Sequence, residues 1–553
     1  MLLAPLLLLA AQVPLQDARL TNIPNTDTHF PLPVYKSLAD WEKRKVRLRR
    51  QILFAAGLDP MPEKTPLHAQ IFGRIQTKDC TIEKVLIEAL PGYYLGGTLY
   101  RPLNASGKHP AVLNPHGHWA YGRLENQPLY SGPSLGANLA RQGYVVFAWD
   151  MVGYNDTAQT PHAFGSPAEQ LWSFGPYGLQ LWNAVRALDF VSELTDVDTS
   201  RIAMAGASGG ATQTISLAAI DDRIQYYAPV NMISASMQGG DVCENAPGLR
   251  LGTNNVEIAA LIAPKPMLMV SATGDWTKNT PTEEFPAIRR IYELYGKPEN
   301  VETIQLDAPH NFNKENREAV YRFFAKHVLH APDADKYAEK NVDIQELQNM
   351  LALSGRALPA NAASYDQIFA EWKQRRPAPD ARDALRLALA AQWPEEVVND
   401  ADALSRPDVG DRMPYQLRDG HGVPALIVGG NLSDAPAGRP ALAIEVFQTR
   451  DHSGKHFESF NQSDDQLRVQ DILTALAWLH KKYPGAIELI GIGTAAGVQA
   501  EFAAAVAPIP VKLRMDKTAF TGADEDFLKY FNVPGIQTAG GLAAADRLTT
   551  QPN

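Results

Sequence analysis

The stretch Arg201-Ile202-Ala203-Met204-Ala205-Gly206-Ala207-Ser208-Gly209-Gly210 decides how this chain is read. Its first half is a short apolar run of strand length, and the small residues after Gly210 can continue as a helix. Glycines around Ser208 permit a turn too tight for side chains, which leaves the hydroxyl alone at the apex. In a chain with 40 glycines the Gly-x-Ser-x-Gly pattern is weak by itself. Order gives it weight. Asp275 ends a later apolar run and His310 follows the next, so a nucleophile, an acid and a base succeed one another.

Around this stretch, strands and helices alternate. Pro110–Asn114, Gly143–Trp149, Ile202–Ala207, Ile224–Val230, Pro266–Ser271 and Val301–Leu306 are apolar runs separated by enough chain for helices, as at Gly178–Leu194. That alternation predicts an α/β fold with a mostly parallel sheet flanked by helices. Upstream, Thr81–Glu88 and Leu95–Tyr100 around Pro91-Gly92 read as a hairpin. Before it, Ser37 caps a basic amphipathic helix from Leu38 to about Ala56, read as a solvated face beside a larger domain.

A serine hydroxyl needs a base to take its proton during attack. His310, in Asp307-Ala308-Pro309-His310, is the candidate base, and Asp275, in Gly274-Asp275-Trp276, the acid that orients it. Asp307 competes for that role by nearness in sequence. One oxyanion donor is expected from the Gly209 amide, the other from the loop Asn114-Pro115-His116-Gly117-His118-Trp119, through the amide of His118 or Trp119. The pair His116 and His118 is read as loop-shaping, with no metal site. Trp119, Tyr154 and Trp276 are candidate substrate-lining rings, with Trp172 a weaker one.

These residues, with Gly97-Thr98-Leu99-Tyr100-Arg101-Pro102, resemble secreted bacterial α/β-hydrolases of the acetyl xylan esterase and cephalosporin C deacetylase type, near dienelactone hydrolases. The resemblance covers roughly residues 35–330. It implies carboxylic ester hydrolysis through a serine acyl-enzyme without a cofactor. Dienelactone hydrolases proper carry cysteine at the elbow, so Ser208 departs from that activity. The leading expectation is a serine carboxylesterase removing acetyl or related acyl groups from plant-type polysaccharide. The alternatives are a serine peptidase of the same fold and a non-catalytic carbohydrate-binding pseudo-hydrolase.

Length and composition set the frame. The 553 residues exceed one ordinary domain, while 45% hydrophobic and 20% charged residues suit globular cores. A net charge of −10 argues against a nucleic-acid partner. Only two cysteines, Cys80 and Cys243, are present, without zinc-like spacing, and two buried free thiols are expected. The apolar block Met1–Ala11 is shorter than the ~20 residues of a membrane span and reads as the core of a signal peptide over 1–19, hence a secreted or periplasmic protein. A catalytic domain is expected over 34–332 and a helical linker over 333–380.

Residues 381–553 then repeat the pattern more faintly. Ala486–Ile492 followed by Thr494–Val506 matches the strand and helix around Ser208, with Gly493 at the nucleophile position and no histidine after it. A degenerate, truncated α/β-hydrolase-like domain without chemistry is predicted there.

Overall fold

The computed structural model describes residues 12–103, 106–374 and 380–550. The chain packs into two compact units. One comprises Thr26–Ser166 and 173–374, the other 12–25, Pro167–Trp172 and 380–550.

The first unit is built on nine strands, β1 (Gln70–Gln76), β2 (Cys80–Leu90), β3 (Tyr93–Pro102), β4 (His109–Pro115), β5 (Val145–Trp149), β6 (Val197–Ala207), β7 (Tyr226–Val230), β8 (Met267–Gly274) and β9 (Val301–Pro309). They lie in the order β1-β2-β3-β5-β4-β6-β7-β8-β9. The first three run antiparallel to their neighbours, and from β5 onward every pairing is parallel. All five residues of β5 are buried, as are most of the central strands, which is why they read as unbroken apolar runs. Each fully buried Val, Leu or Ile in these layers contributes about 1.5–3 kcal/mol. The helix Gly209–Ile220 has every residue buried, and Pro176–Glu193 nearly so. Ser37 caps the helix Leu38–Ala55 by accepting from Asp40 N. The hairpin forms with Gly92 at φ +72°, a backbone that glycine takes without strain.

The segment expected as a linker packs on this first unit as far as residue 374. Asp156 accepts from the Ala352 and Leu353 amides (2.8 and 2.9 Å), Arg317 pairs with Glu339, and Phe174 meets Trp372. These anchors are single polar or aromatic residues without periodicity, so the charged composition concealed them.

The second unit carries β10 (Val398–Asn399), β11 (Ala403–Ser405), β12 (Met413–Arg418), β13 (Ala425–Val428), β14 (Ala441–Ile444), β15 (Ile487–Gly491) and β16 (Val511–Met515). Their order is β10-β11-β12-β14-β13-β15-β16, with β12 antiparallel to β14 and parallel pairing beyond. This reproduces the first sheet strand for strand from β1 to β7, including the β5-β4 inversion. Among the described residues it ends where β8 and β9 would follow, and in the first unit those two strands lead to Asp275 and His310.

Of the expected signal segment, residues 1–11 lie outside the described residues. Arg19 is built into the second unit, buried and paired with Asp17 and Asp471 at 2.6 Å each. Both Asp17 and Arg19 of that pair fall within the expected segment. Among the described residues no helix is long and apolar enough to cross a membrane.

Candidate active site

β6 ends at Ala207, and the helix Gly209–Ile220 begins one residue later. Ser208 fills the gap at φ +58°, ψ −123°, a conformation that costs a non-glycine residue on the order of 1–3 kcal/mol. The surrounding backbone holds it there. Its N–H donates to Val230 O (3.0 Å), and its carbonyl accepts from Ala211 and Thr212 (2.8 and 3.0 Å). A Cβ on Gly206 would stand 2.4 Å from Gly210 O, and one on Gly210 would stand 2.3 Å from Pro115 O. Both glycines are thus fixed by close backbone approach.

Parallel pairing brings the carboxyl ends of β6, β7, β8 and β9 to one edge of the sheet, where ligands bind in open α/β folds. Asp275 leaves β8 there and His310 leaves β9. His310 Nδ1 lies 2.8 Å from Asp275 Oδ2, with the carboxylate side chain 2% exposed and the imidazole 26%. Asp275 Oδ1 accepts from Thr277 N (2.7 Å) and Oγ1 (2.5 Å). Past His310, Asn231 Nδ2 donates to Asn311 O (2.8 Å) and Phe312 N donates to Leu129 O (2.7 Å). The competitor Asp307 is exposed and accepts from Thr273 Oγ1 (2.6 Å). Of the two acids weighed in the sequence, it is Asp275, the one preferred there, whose carboxylate faces His310.

The loop after β4 touches both the elbow and the histidine. A Cβ on Gly117 would stand 3.0 Å from Ser208 Cβ, and the Trp119 ring lies near-parallel to His310 at 6.4 Å. His116 is fully buried. Its Nε2 accepts from Met151 N (2.9 Å), so Nδ1 carries the proton and donates to Gly117 O (2.7 Å). Burial pushes this imidazole down to about 3, so it stays neutral. Trp119 N–H already donates to Gly117 O (2.9 Å).

Of the expected substrate-lining rings, Trp276 packs on His310 at 4.3 Å, and Trp119 stacks between it and Tyr130. Tyr154 lies farther along, its ring meeting His116 and His162 at 5.1 Å each. Trp172 clusters with the second unit, where its indole N–H donates to Asp524 (3.0 Å).

Two groupings escaped the sequence reading. Arg123 is fully buried between Asp150 and Asp156, and also donates to Thr98 Oγ1 (3.1 Å). Burial pushes Asp150 up to about 6 against the pull of this guanidinium. Beside the elbow, His118 meets His162, Asp241 and Cys243, whose donor atoms all lie within 4.8 Å of one another. His118 was expected to lack metal-capable companions. They come from two distant loops, and only the Asp-x-Cys pair at 241 and 243 was visible as a local signal. Both cysteines are free and buried.

In the second unit Gly493 caps its helix at φ +85°, with no hydroxyl at the apex. Strand, turn and helix are kept around this glycine.

A nine-stranded sheet with antiparallel first strands, a β5-β4 inversion and a serine elbow after β6 defines an α/β hydrolase. Comparison with known proteins agrees. No protein-family model matches the chain. The methylesterase BT1017 is 31% identical, with a TM-score of 0.53 over 61% of this chain and 75% of that one. The putative hydrolase YtaP of Bacillus subtilis (strain 168) is 26% identical over 297 residues, which is 50% of this chain and 98% of that protein. A putative acetyl xylan esterase from Bacteroides fragilis is 16% identical over 51% of this chain and 79% of its own, with a TM-score of 0.42. The chain belongs to the α/β-hydrolase family, among relatives that are esterases and hydrolases.

Proposed function

We propose that the first unit is a serine carboxylesterase in which Ser208 is the nucleophile, His310 the base and Asp275 the residue that orients it. The observation that carries this reading is the 2.8 Å contact between His310 Nδ1 and Asp275, on the sheet edge where Ser208 stands in a strained turn. Ser208 Oγ attacks the acyl carbon while its proton passes to His310 Nε2. The resulting oxyanion accepts from the Gly209 and His118 amides, each such donor supplying about 10²–10³ in rate. The tetrahedral intermediate expels the alcohol, protonated by His310. Water then attacks the acyl-enzyme, gives its proton to the same nitrogen, and the carboxylic acid leaves.

The substrate we infer is an ester on a carbohydrate. Trp276 and Trp119 flank His310 with flat apolar rings of the kind that stack on sugars. Two ester types fit, an acetyl group on a sugar hydroxyl or the methyl ester of a sugar acid, the latter because the 31% identical relative is a methylesterase.

The test is hydrolysis of p-nitrophenyl acetate by the wild type and by Ser208→Ala. Activity in the wild type and its loss in the variant are expected. An inactive wild type would sink the esterase reading, and equal activity in both would sink the role of Ser208. Acetate release from acetylated xylan against methanol release from methylated polyuronate then distinguishes the two ester types.

A further inference from the structure

The cluster behind the elbow has the chemistry of a closed metal site. His118 Nε2 lies 3.1 Å from Cys243 Sγ and 3.8 Å from Asp241 Oδ1, and His162 Nε2 lies 3.2 Å from the same oxygen. A tetrahedral zinc ion with ordinary Zn–N, Zn–O and Zn–S bonds sets its ligand atoms about 3.3–3.7 Å apart. The three measured separations bracket that range.

The orientation of the second histidine points the same way. His162 Nδ1 lies 2.6 Å from Val152 O, which only an N–H can face, so Nε2 is the ring atom turned to the cluster. That Nε2 is buried, 3.2 Å from Asp241 Oδ1. A ring nitrogen held by a backbone carbonyl is also the usual outer support of a metal-bound histidine. Cys243 is fully buried, unlike a nucleophile that must meet substrate.

We propose that His118, His162, Asp241 and Cys243 bind a divalent zinc-type cation that fixes the oxyanion loop to the loop after β7. Two imidazoles, a carboxylate and a thiolate form a mixed set that suits zinc. Four protein ligands fill the tetrahedron, so the ion is structural and takes no part in the ester chemistry. Its effect is on position. The His118 ring also lies against the elbow, its Nδ1 3.1 Å from where a Cβ on Gly209 would stand. With Nε2 on the metal, the proton of neutral His118 stays on Nδ1, facing the elbow, and the loop carrying the second oxyanion donor is held. Binding displaces the Cys243 thiol proton to solvent.

The experiment loads the full-length protein with Co²⁺ after chelation, then displaces it with Zn²⁺. Wild type should take up ~1 equivalent with a Kd below about 1 µM, and show the near-ultraviolet thiolate-to-cobalt band. Cys243→Ser should lose that band, and Cys80→Ser should keep it. His162→Ala should weaken Co²⁺ binding by more than about 100-fold, beyond the usual cost of losing an outer support. Circular dichroism checks that each variant is folded. No uptake by folded wild type, or a band surviving in Cys243→Ser, overturns the proposal. Neither result bears on Ser208, whose assignment rests on the ester assay.

Discussion

His310 Nδ1 and Asp275 Oδ2 are 2.8 Å apart, and the other oxygen of that carboxylate is bound by Thr277 through both its amide and its hydroxyl. Thr277 therefore fixes the orientation of Asp275, and Asp275 that of His310. An acceptor facing Nδ1 keeps the proton there and leaves the Nε2 lone pair free to accept another. Thr277 Oγ1 also accepts from Ala272 N (3.0 Å), which ties this arrangement to the end of β8.

Asp275→Asn should keep the fold and lose the rate. With Oδ1 still accepting from Thr277, the new amide presents N–H to His310 Nδ1 and forces the proton onto Nε2, where it blocks the base. A fall in kcat of about 10⁴-fold is expected, with the melting temperature little changed. Steady-state kinetics on p-nitrophenyl acetate beside thermal denaturation checks it. A loss below tenfold would mean that the acid lies elsewhere.

The parts legible in the sequence were those fixed by local backbone demands. Gly206 and Gly210 have no room for a Cβ, and Pro91-Gly92 forms its turn, so both motifs could be seen without a structure. The parallel strands were legible because burial on both faces leaves continuous apolar runs. β1 was not, since its residues are half-buried or exposed and it lies at the sheet edge. Arg123, Asp150 and Asp156 were illegible for another reason. A buried ion pair looks in sequence like any surface charge, and only its partners reveal it. The cluster at His118 joins residues up to 125 positions apart, which no spacing rule covers.

Arg123→Met tests that buried pair. The side chain is fully buried, and its removal leaves the carboxylates of Asp150 and Asp156 without their counter-charge. Leaving a buried charge uncompensated costs about 3–5 kcal/mol, which chemical denaturation of the first unit would register. Adding Asp150→Asn and Asp156→Asn should recover part of the loss. Destabilisation below about 1 kcal/mol would show that the network is solvated in solution.

Gly117→Ala probes the loop proposed to carry an oxyanion donor. Its Cβ would fall 2.7 Å from Ala207 O and 3.0 Å from Ser208 Cβ, both parts of the rigid elbow. The loop must yield, and a shift near 1 Å at reacting atoms costs about 10²-fold in rate. The expected signature is a lowered kcat with KM and far-ultraviolet circular dichroism nearly unchanged. Wild-type kcat in this variant would show that the loop is not held against the serine.

In the second unit, Glu501 gives stability a pH dependence. Its side chain is 1% exposed, and Lys517 Nζ reaches Oε1 at 2.8 Å. Burial pushes the carboxyl up from 4.5 to about 7, Asp546 adding to the shift and Lys517 opposing it. Between those two values the unfolded chain gives up its proton while the folded one keeps it. The unfolded state then binds fewer protons, so stability falls as pH rises through this window and levels off above it. The loss is on the order of 3 kcal/mol for a shift of this size. Glu501→Gln mimics the protonated form and should remove that component, so the variant gains on wild type as pH rises. Denaturant midpoints of both proteins at about pH 4.5 and pH 7.5 give the comparison. Parallel midpoints at both values would place the proton on another group.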